Sequence, residues 1–130
     1  MVAEKIHDLL PQEWPMVIGD LPSTADVVVG IIEYDGVEST EYFGTSDRMS
    51  KRSETTSVSI FHPIIKVVIR HTSYSEGQEW SDEVKDTLHR YHNEDVGILS
   101  ILMAGTPMYL GRNEQKLHEF QVTFNTTIKE

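Results

Sequence analysis

The sequence has no cysteine and no long hydrophobic run. Among 130 residues there is no thiol, so a disulfide framework, a thiolate metal site and a cysteine nucleophile are all excluded. No apolar stretch approaches the roughly 20 residues of a membrane-spanning helix, and the N-terminus lacks the charged-then-apolar pattern of a signal peptide. We therefore expect a soluble protein made in a cytoplasm, with no membrane partner.

Basic residues are also scarce. The chain has 11 Lys and Arg residues and 21 Asp and Glu residues, which gives a formal net charge of -10 with neutral histidines. A surface of this sign repels nucleic-acid phosphates, so sequence-specific DNA binding is not expected. The length and the absence of internal repeats predict a single domain over residues 1–130.

Motifs that carry catalysis are missing as well. The chain contains no Gly-x-Ser-x-Gly elbow, phosphate-binding glycine loop, His-Glu-x-x-His pair or calcium loop. Carboxylate pairs exist, but Glu79 with Glu83 at helical spacing is typical of a solvated helix face rather than of an acid–base pair. We predict that the protein is not an enzyme and needs no cofactor.

His89 and His92 are the candidate metal ligands of the sequence. Their spacing of three places them on one face of a predicted helix, with Glu94 and Asp95 close behind. No third ligand at a fixed spacing is evident, and histidines near a helix C-terminus complement its dipole. We predict no metal.

The most informative stretch covers residues 63–93. Alternating β-branched residues predict a half-buried strand over residues 64–70. Ser73 and Glu76 have the spacing of a capping box, which predicts a helix start. Apolar residues at spacings of four, four and three then predict one buried helical stripe: Trp80, Val84, Leu88 and Tyr91. The helix should continue to Asn93 as a left-handed cap, with an outer face that is strongly acidic.

The remaining elements follow from periodicity and turn residues. A short helix is predicted over residues 2–10, brief extended structure at 16–18, and strands at 26–34, 57–61, 97–104 and 119–128, with a turn at Gly105 and Pro107. Asp35-Gly36 predicts a tight hairpin turn into a partner strand over residues 37–43. Residues 44–57 predict a long polar loop. The sum is an α+β fold, a mostly antiparallel β-sheet with two helices packed on one face.

Several of these segments resemble the tail terminator family of long-tailed bacteriophages, whose members are also called tail-to-head joining proteins or minor capsid proteins. The resemblance lies in residues 63–70 (PIIKVVIR), in Ser73-Tyr74 opening a helix, and in residues 110–114 (LGRNE) before an alternating final strand. Leu21-Pro22 before an apolar strand and an Asp-Gly dipeptide is similar too. The likeness extends over most of the chain.

The resemblance implies a virion protein at the head-proximal end of the tail, assembled in the bacterial host cytoplasm. It implies a homo-oligomeric ring, a hexamer, that sits on the last ring of tail tube protein and stops its polymerisation. The ring would also contact the head connector or stopper protein. DNA would pass through its channel without sequence-specific binding.

We predict that subunit contacts involve the region from Glu38 to Glu54. Its basic cluster could meet the acidic helix face of a neighbouring subunit, a pairing that favours register over affinity. The predicted interface residues are Glu38, Glu41, Tyr42, Phe43, Arg48, Lys51, Arg52, Glu54, Glu79, Glu83 and Asp86. A mixed-charge loop can also be merely solvated.

Other functions stay open at this point. The same layout could serve another head–tail neck or completion protein, which only the binding partner would distinguish. A small acidic adaptor or inhibitor that mimics the charge of DNA is a second class, supported by the acidic helix. A small hydrolase would require a pocket with converging polar groups.

Overall fold

A computed structural model describes the backbone of residues 2–43 and 56–129, and the side chains of residues 2–34 and 60–129. The described elements are two α-helices, one short 3-10 helix and six strands. In chain order they are α1 (Val2–Leu9), β1 (Met16–Ile18), β2 (Val28–Phe43), β3 (Thr56–His71), α2 (Tyr74–Leu88), the 3-10 helix (Glu94–Val96), β4 (Ile98–Met103), β5 (Met108–Arg112) and β6 (His118–Lys129). The predicted α+β class is confirmed.

The strands form one mixed sheet that is almost entirely antiparallel. The order across the sheet is β1-β2-β3-β6-β4, and only β1 runs parallel to its neighbour, β2. Strand β6 pairs with β3 along one edge. Its other edge pairs first with β5 and then with β4, which lie end to end in the same direction.

One face of this sheet carries the hydrophobic core. Alternate positions of the central strands point toward the helices, as the period-two pattern predicts; β3 supplies Ile65, Val67 and Ile69, for example. The apolar stripes of both helices pack onto the same residues, because an amphipathic helix buries its apolar side against a sheet. The remaining core residues are Val2, Ala3, Ile6, Leu10, Trp14, Val29, Ile31, Val84, Leu88, Ile98, Ile101, Phe120, Val122, Phe124 and Ile128.

The predicted Asp35-Gly36 hairpin turn is wrong. Strand β2 runs through both residues as one 16-residue strand, and β3 is equally long. The register pairs Tyr34 with Ile64 and Val37 with His62, so two residues of β2 oppose the single Pro63 of β3. This is a β-bulge, in which one strand carries an extra residue. Proline has no N–H for the ladder, so a bulge is one of the few places where a strand accepts it.

The C-terminal end of α2 also differs from the prediction. The helix ends at Leu88, and the backbone N–H of Arg90 donates to the carbonyl of Ile101 in β4. Arg90 adopts the left-handed conformation (φ 69°) that was predicted for Asn93. Asn93 is extended and caps the 3-10 helix instead. Hydrogen bonds to β4 therefore replace the last predicted turn.

This early end separates the two histidines considered as metal ligands. His89 is the C-cap of α2, and His92 lies beyond the helix, so they do not share a helical face. The Nδ1 atom of His89 accepts a hydrogen bond from the backbone N–H of Met103 at 3.0 Å. In the described part of the chain, no three histidine or carboxylate side chains come together in a way that could hold a metal ion.

Only one of the two hydrogen bonds of the predicted capping box forms at the N-terminus of α2. The Ser73 hydroxyl accepts from the Glu76 N–H at 3.4 Å. The Glu76 side chain does not accept a hydrogen bond from the backbone N–H of Ser73. That N–H of Ser73 donates instead to Nδ1 of His71 at 3.0 Å. The Glu76 carboxylate lies 3.1 Å from Nε2 of the same ring. His71 thus takes over half of the capping box and ties the end of β3 to α2.

Candidate protein interfaces

The most charged described surface is the outer side of α2, here called the acidic helix face: Glu79, Asp82, Glu83 and Asp86. All four are exposed, as the helical period predicts for residues opposite Val84 and Leu88. Within the described residues, no basic group lies within ion-pair distance of these carboxylates. The face therefore presents uncompensated negative charge and suits a basic partner surface.

A second candidate is the far end of the β2–β3 hairpin. Strand β6 pairs with β3 only as far as Ile60, whereas the β2–β3 ladder continues to Phe43 and Thr56. Residues 40–43 and 56–59, here called the hairpin arm, thus extend beyond the third strand. Two-stranded ribbons are marginally stable by themselves, so a partner that covers the arm would stabilise it.

The predicted interface residues fall in three places. Glu79, Glu83 and Asp86 lie on the acidic helix face. Glu38 is in β2 just before the hairpin arm, and Glu41, Tyr42 and Phe43 are in the arm itself. Four others lie outside the described residues: Arg48, Lys51, Arg52 and Glu54. The same holds for residues 44–55 of the predicted polar loop, while Thr56 and Ser57 belong to β3.

The sheet face opposite the helices is covered only in part. The segment after β1 crosses one end of it, where Leu21 packs on Gly30; an added Cβ at Gly30 would lie 2.5 Å from Cδ2 of Leu21. The guanidinium of Arg70 donates to the Pro22 carbonyl at 2.6 Å and to the Ala25 carbonyl at 3.2 Å. These contacts fix the segment against the sheet.

The other end of this sheet face is open. Tyr34 is 44% exposed and Ile64 37%, and the Lys66 ammonium lies 5.0 Å from the centre of the Tyr34 ring. A cation over an aromatic ring is a weakly attractive contact at an exposed site. The open area is therefore apolar with a positive charge, in contrast to the acidic helix face on the opposite side of the molecule.

A cluster of aromatic side chains lies where β5, β6 and the start of α2 meet. The Tyr74 ring is 5.0 Å from that of Tyr109 and 5.5 Å from that of Phe120, centre to centre. The Tyr109 hydroxyl lies 2.8 Å from Nδ1 of His118. Both tyrosines are more than 40% exposed, so the cluster reaches the surface.

The aromatic cluster was not predicted. The sequence predicts Trp80 in the buried stripe of the helix and places Tyr74 only at the start of the helix, and the structure separates the two rings. Trp80 stacks on Trp14 with ring centres 4.6 Å apart and is partly buried against the core, whereas Tyr74 is 49% exposed. The only sequence signal for the aromatic cluster is the apolar run Met108-Tyr109-Leu110 at the start of β5.

Two small surface depressions lie in the described part. One of about 200 Å³ is lined by Ser23, Arg70, Asn113, Glu114 and Gln115. Its most buried charge, Arg70, is already bonded to Glu119 and to two carbonyls. A second, of about 140 Å³, lies between α1 and β4. The first is lined by polar side chains, and the second mainly by charged and apolar ones.

No helix among the described residues has both the length and the apolar character needed to cross a membrane. The described surfaces suited to protein contacts are the acidic helix face and the exposed aromatic cluster. The sequence pattern of a family described as bacteriophage tail terminator protein matches residues 3–130. The chain belongs to that family.

Solved structures contain the same fold. A chain from the virion of a native gene transfer agent particle is similar with a TM-score of 0.50 at 10% sequence identity. The likeness covers 96% of this chain and 84% of that one. No curated protein matches in sequence.

Membership makes this chain a structural protein of phage tails, and it confirms the family resemblance seen in the sequence. A structural family gives no support to an enzymatic role.

Proposed function

We propose that this protein caps the end of the phage tail tube as a ring, stops tube polymerisation and forms the joint to the head connector. The ring is hexameric in this proposal. The observation that carries it is the family match, which spans residues 3–130. The structure supports the proposal because one small subunit carries separate surfaces for different partners: the acidic helix face, the hairpin arm and the aromatic cluster.

A capping ring needs two kinds of contact. Contacts between copies must be head-to-tail, because a heterologous interface closes into a ring when its rotation closes. Growth ends when the side facing the tube is complementary to tube subunits and the other side is not. The hairpin arm and the acidic helix face are different surfaces of one chain, which is what a heterologous contact requires.

The charge of the subunit has a use in such a ring. Six copies at -10 each carry -60 in all. An acidic channel wall would repel the phosphates of passing DNA and keep the DNA from adhering. We propose that DNA passes without sequence-specific binding.

The subunit contact is proposed to join the region from Glu38 to Glu54 of one copy to the acidic helix face of the next. Arg48, Lys51 and Arg52 supply positive charge, and Glu79, Glu83 and Asp86 are exposed carboxylates. Complementary charges of this kind set register and partner choice more than affinity. Glu41, Tyr42 and Phe43 complete the proposed contact.

Electron microscopy of the protein with its tail tubes tests the function. We expect a ring at one end of each tube and no further elongation when tube subunits are added. Native mass spectrometry of the complex should show six copies per tube end. Tubes that elongate normally in excess protein, with no added density at either end, would contradict the capping role.

Charge reversal tests the subunit contact. Arg48→Glu with Arg52→Glu should abolish ring formation, because it opposes like charges across the interface. Glu79→Lys with Glu83→Lys should do the same, and combining all four should restore the ring. Glu13→Lys with Asp20→Lys, at two exposed connector residues, gives the same charge change as Glu79→Lys with Glu83→Lys and is the matched control. Rings that persist in both double variants would show that these residues are not the contact.

A further inference from the structure

We propose that the outer edge of β5 is a strand-pairing site, and that its occupant is β2 of a second copy of this chain, in the part beyond Ile31. The two strands would join the sheets of neighbouring subunits. This inference rests on the proposed ring, and it names a contact within that ring.

Strand β5 is an exposed edge. It pairs with β6 on one side, and no other strand in the described ranges pairs with it. An edge strand offers unpaired N–H and C=O groups to any chain that can align with it, and proteins usually protect such edges with charges, proline or a covering segment. In β5 the sequence Met-Tyr-Leu-Gly-Arg offers three large apolar side chains before its single charge, Arg112.

The side chains of β5 are suited to a protein contact. Met108 is 56% exposed, Tyr109 41% and Leu110 47%, and Tyr74 adds a further exposed ring beside them. The register shifts between Tyr109 and Gly111, which leaves Leu110 as the extra residue of a bulge. Tyrosine and methionine are enriched at protein interfaces. Isolated exposed apolar residues are normal, but a contiguous group marks a binding surface.

The occupant is identified by a second unpaired edge in the same molecule. Strand β1 covers β2 only at positions 29–31, and on that side no described strand pairs with the rest of β2. Strand β2 pairs with β3 on its other side over its full length. The free edge of β2 is thus long enough to accept the five residues of β5.

Charge favours this pairing in an otherwise acidic protein. The end of β5 is locally basic: Arg112 and Lys116 are exposed, and no carboxylate in the described part lies within ion-pair distance of either. The free segment of β2 carries acidic residues in its sequence at Glu38 and Glu41. Opposite charges across an edge contact fix its register.

The position of the two edges makes the contact a ring contact. Strand β2 lies toward one side of the sheet, and β5 lies on the other side, beyond β6. Pairing β2 of one copy with β5 of the next leaves the same two edges free at the ends of the pair. Such head-to-tail addition gives a ring when the rotation between neighbours closes.

The test is a charge swap across the proposed contact. Arg112→Glu with Leu110→Glu should raise the concentration needed for ring assembly at least about tenfold, because it places two acids beside an acidic strand. Adding Glu38→Arg and Glu41→Arg should restore assembly. Val96→Glu with Arg90→Glu makes the same change of charge at two exposed positions away from β5; it is the matched control and should assemble normally.

Each variant is measured by native mass spectrometry, by electron microscopy of capped tubes and by thermal unfolding. Because all substituted β5 side chains are exposed, melting temperatures should stay at the wild-type value. Rings unaffected by Arg112→Glu with Leu110→Glu would overturn the proposal, as would a failure of the swap to restore them. Intact rings that no longer cap tubes would show that β5 binds a different protein, which also overturns it.

The wild-type chain separates this inference from the proposed function. If it caps tubes as a ring and the β5 variants do so equally well, only the strand pairing is wrong. If the wild-type chain forms no ring on its tubes, the capping function itself is wrong.

Discussion

Phe120→Ala is expected to lower the free energy of unfolding by about 3–5 kcal/mol, the usual range for removing a buried aromatic ring. The ring is 1% exposed and packs beneath Tyr74 and Tyr109. It also fills the space above Gly77, where an added Cβ would lie 2.4 Å from Cε2 of Phe120. The loss therefore affects both α2 and β5, and urea unfolding followed by circular dichroism measures it.

Two companion variants test the assigned cause. Phe120→Leu keeps most of the volume and should cost clearly less than Phe120→Ala. Gly77→Ala should destabilise the native protein through its contact with the Phe120 ring, and should be tolerated better when Phe120→Leu is also present. A loss below about 1 kcal/mol for Phe120→Ala would show that the ring does not support α2.

Arg70→Met is expected to destabilise the protein by about 3 kcal/mol, because removing one partner of a largely buried ion pair leaves the other uncompensated. The Nε atom of Arg70 lies 3.1 Å from Oε2 of Glu119, and their side chains are 11% and 23% exposed. The same guanidinium also donates hydrogen bonds to the carbonyls of Pro22 and Ala25. Thermal unfolding and limited proteolysis of the segment at residues 19–27 measure the two effects.

The double variant Arg70→Met with Glu119→Gln distinguishes the two roles of the arginine. It removes the unpaired carboxylate, so part of the lost stability should return. Proteolysis near Pro22 should stay faster than in the wild-type protein, because the bonds to the two carbonyls are still missing. If the double variant regains no stability, the ion pair is not the source of the loss.

Most elements could be predicted from local sequence signals. Alternation over residues 119–128 predicted β6, and the spacing of Ser73 and Glu76 predicted the start of α2. The Asp35-Gly36 turn was predicted wrongly because the same dipeptide serves a turn or a bulge. Which one forms depends on the partner strand, where Pro63 occupies the opposing position.

The candidate surfaces were predictable only where they lie on one element. The acidic helix face follows from the 3.6-residue period of α2, so it could be placed from the sequence. The aromatic cluster joins Tyr74 to Tyr109 and His118, residues far apart in the chain. Only the pairing of β5 with β6 and the docking of α2 bring them together, and no local pattern encodes that proximity.

The bulge at Asp35 and Gly36 divides the long hairpin into two parts that need not share one direction. Bulged strands bend and twist more than regular ones, and Val37–His62 is the first pair beyond the irregularity. In the proposed ring, the angle at which a subunit reaches its neighbour would depend on this bulge, which lies outside the arm. That angle would in turn set the diameter of the central opening.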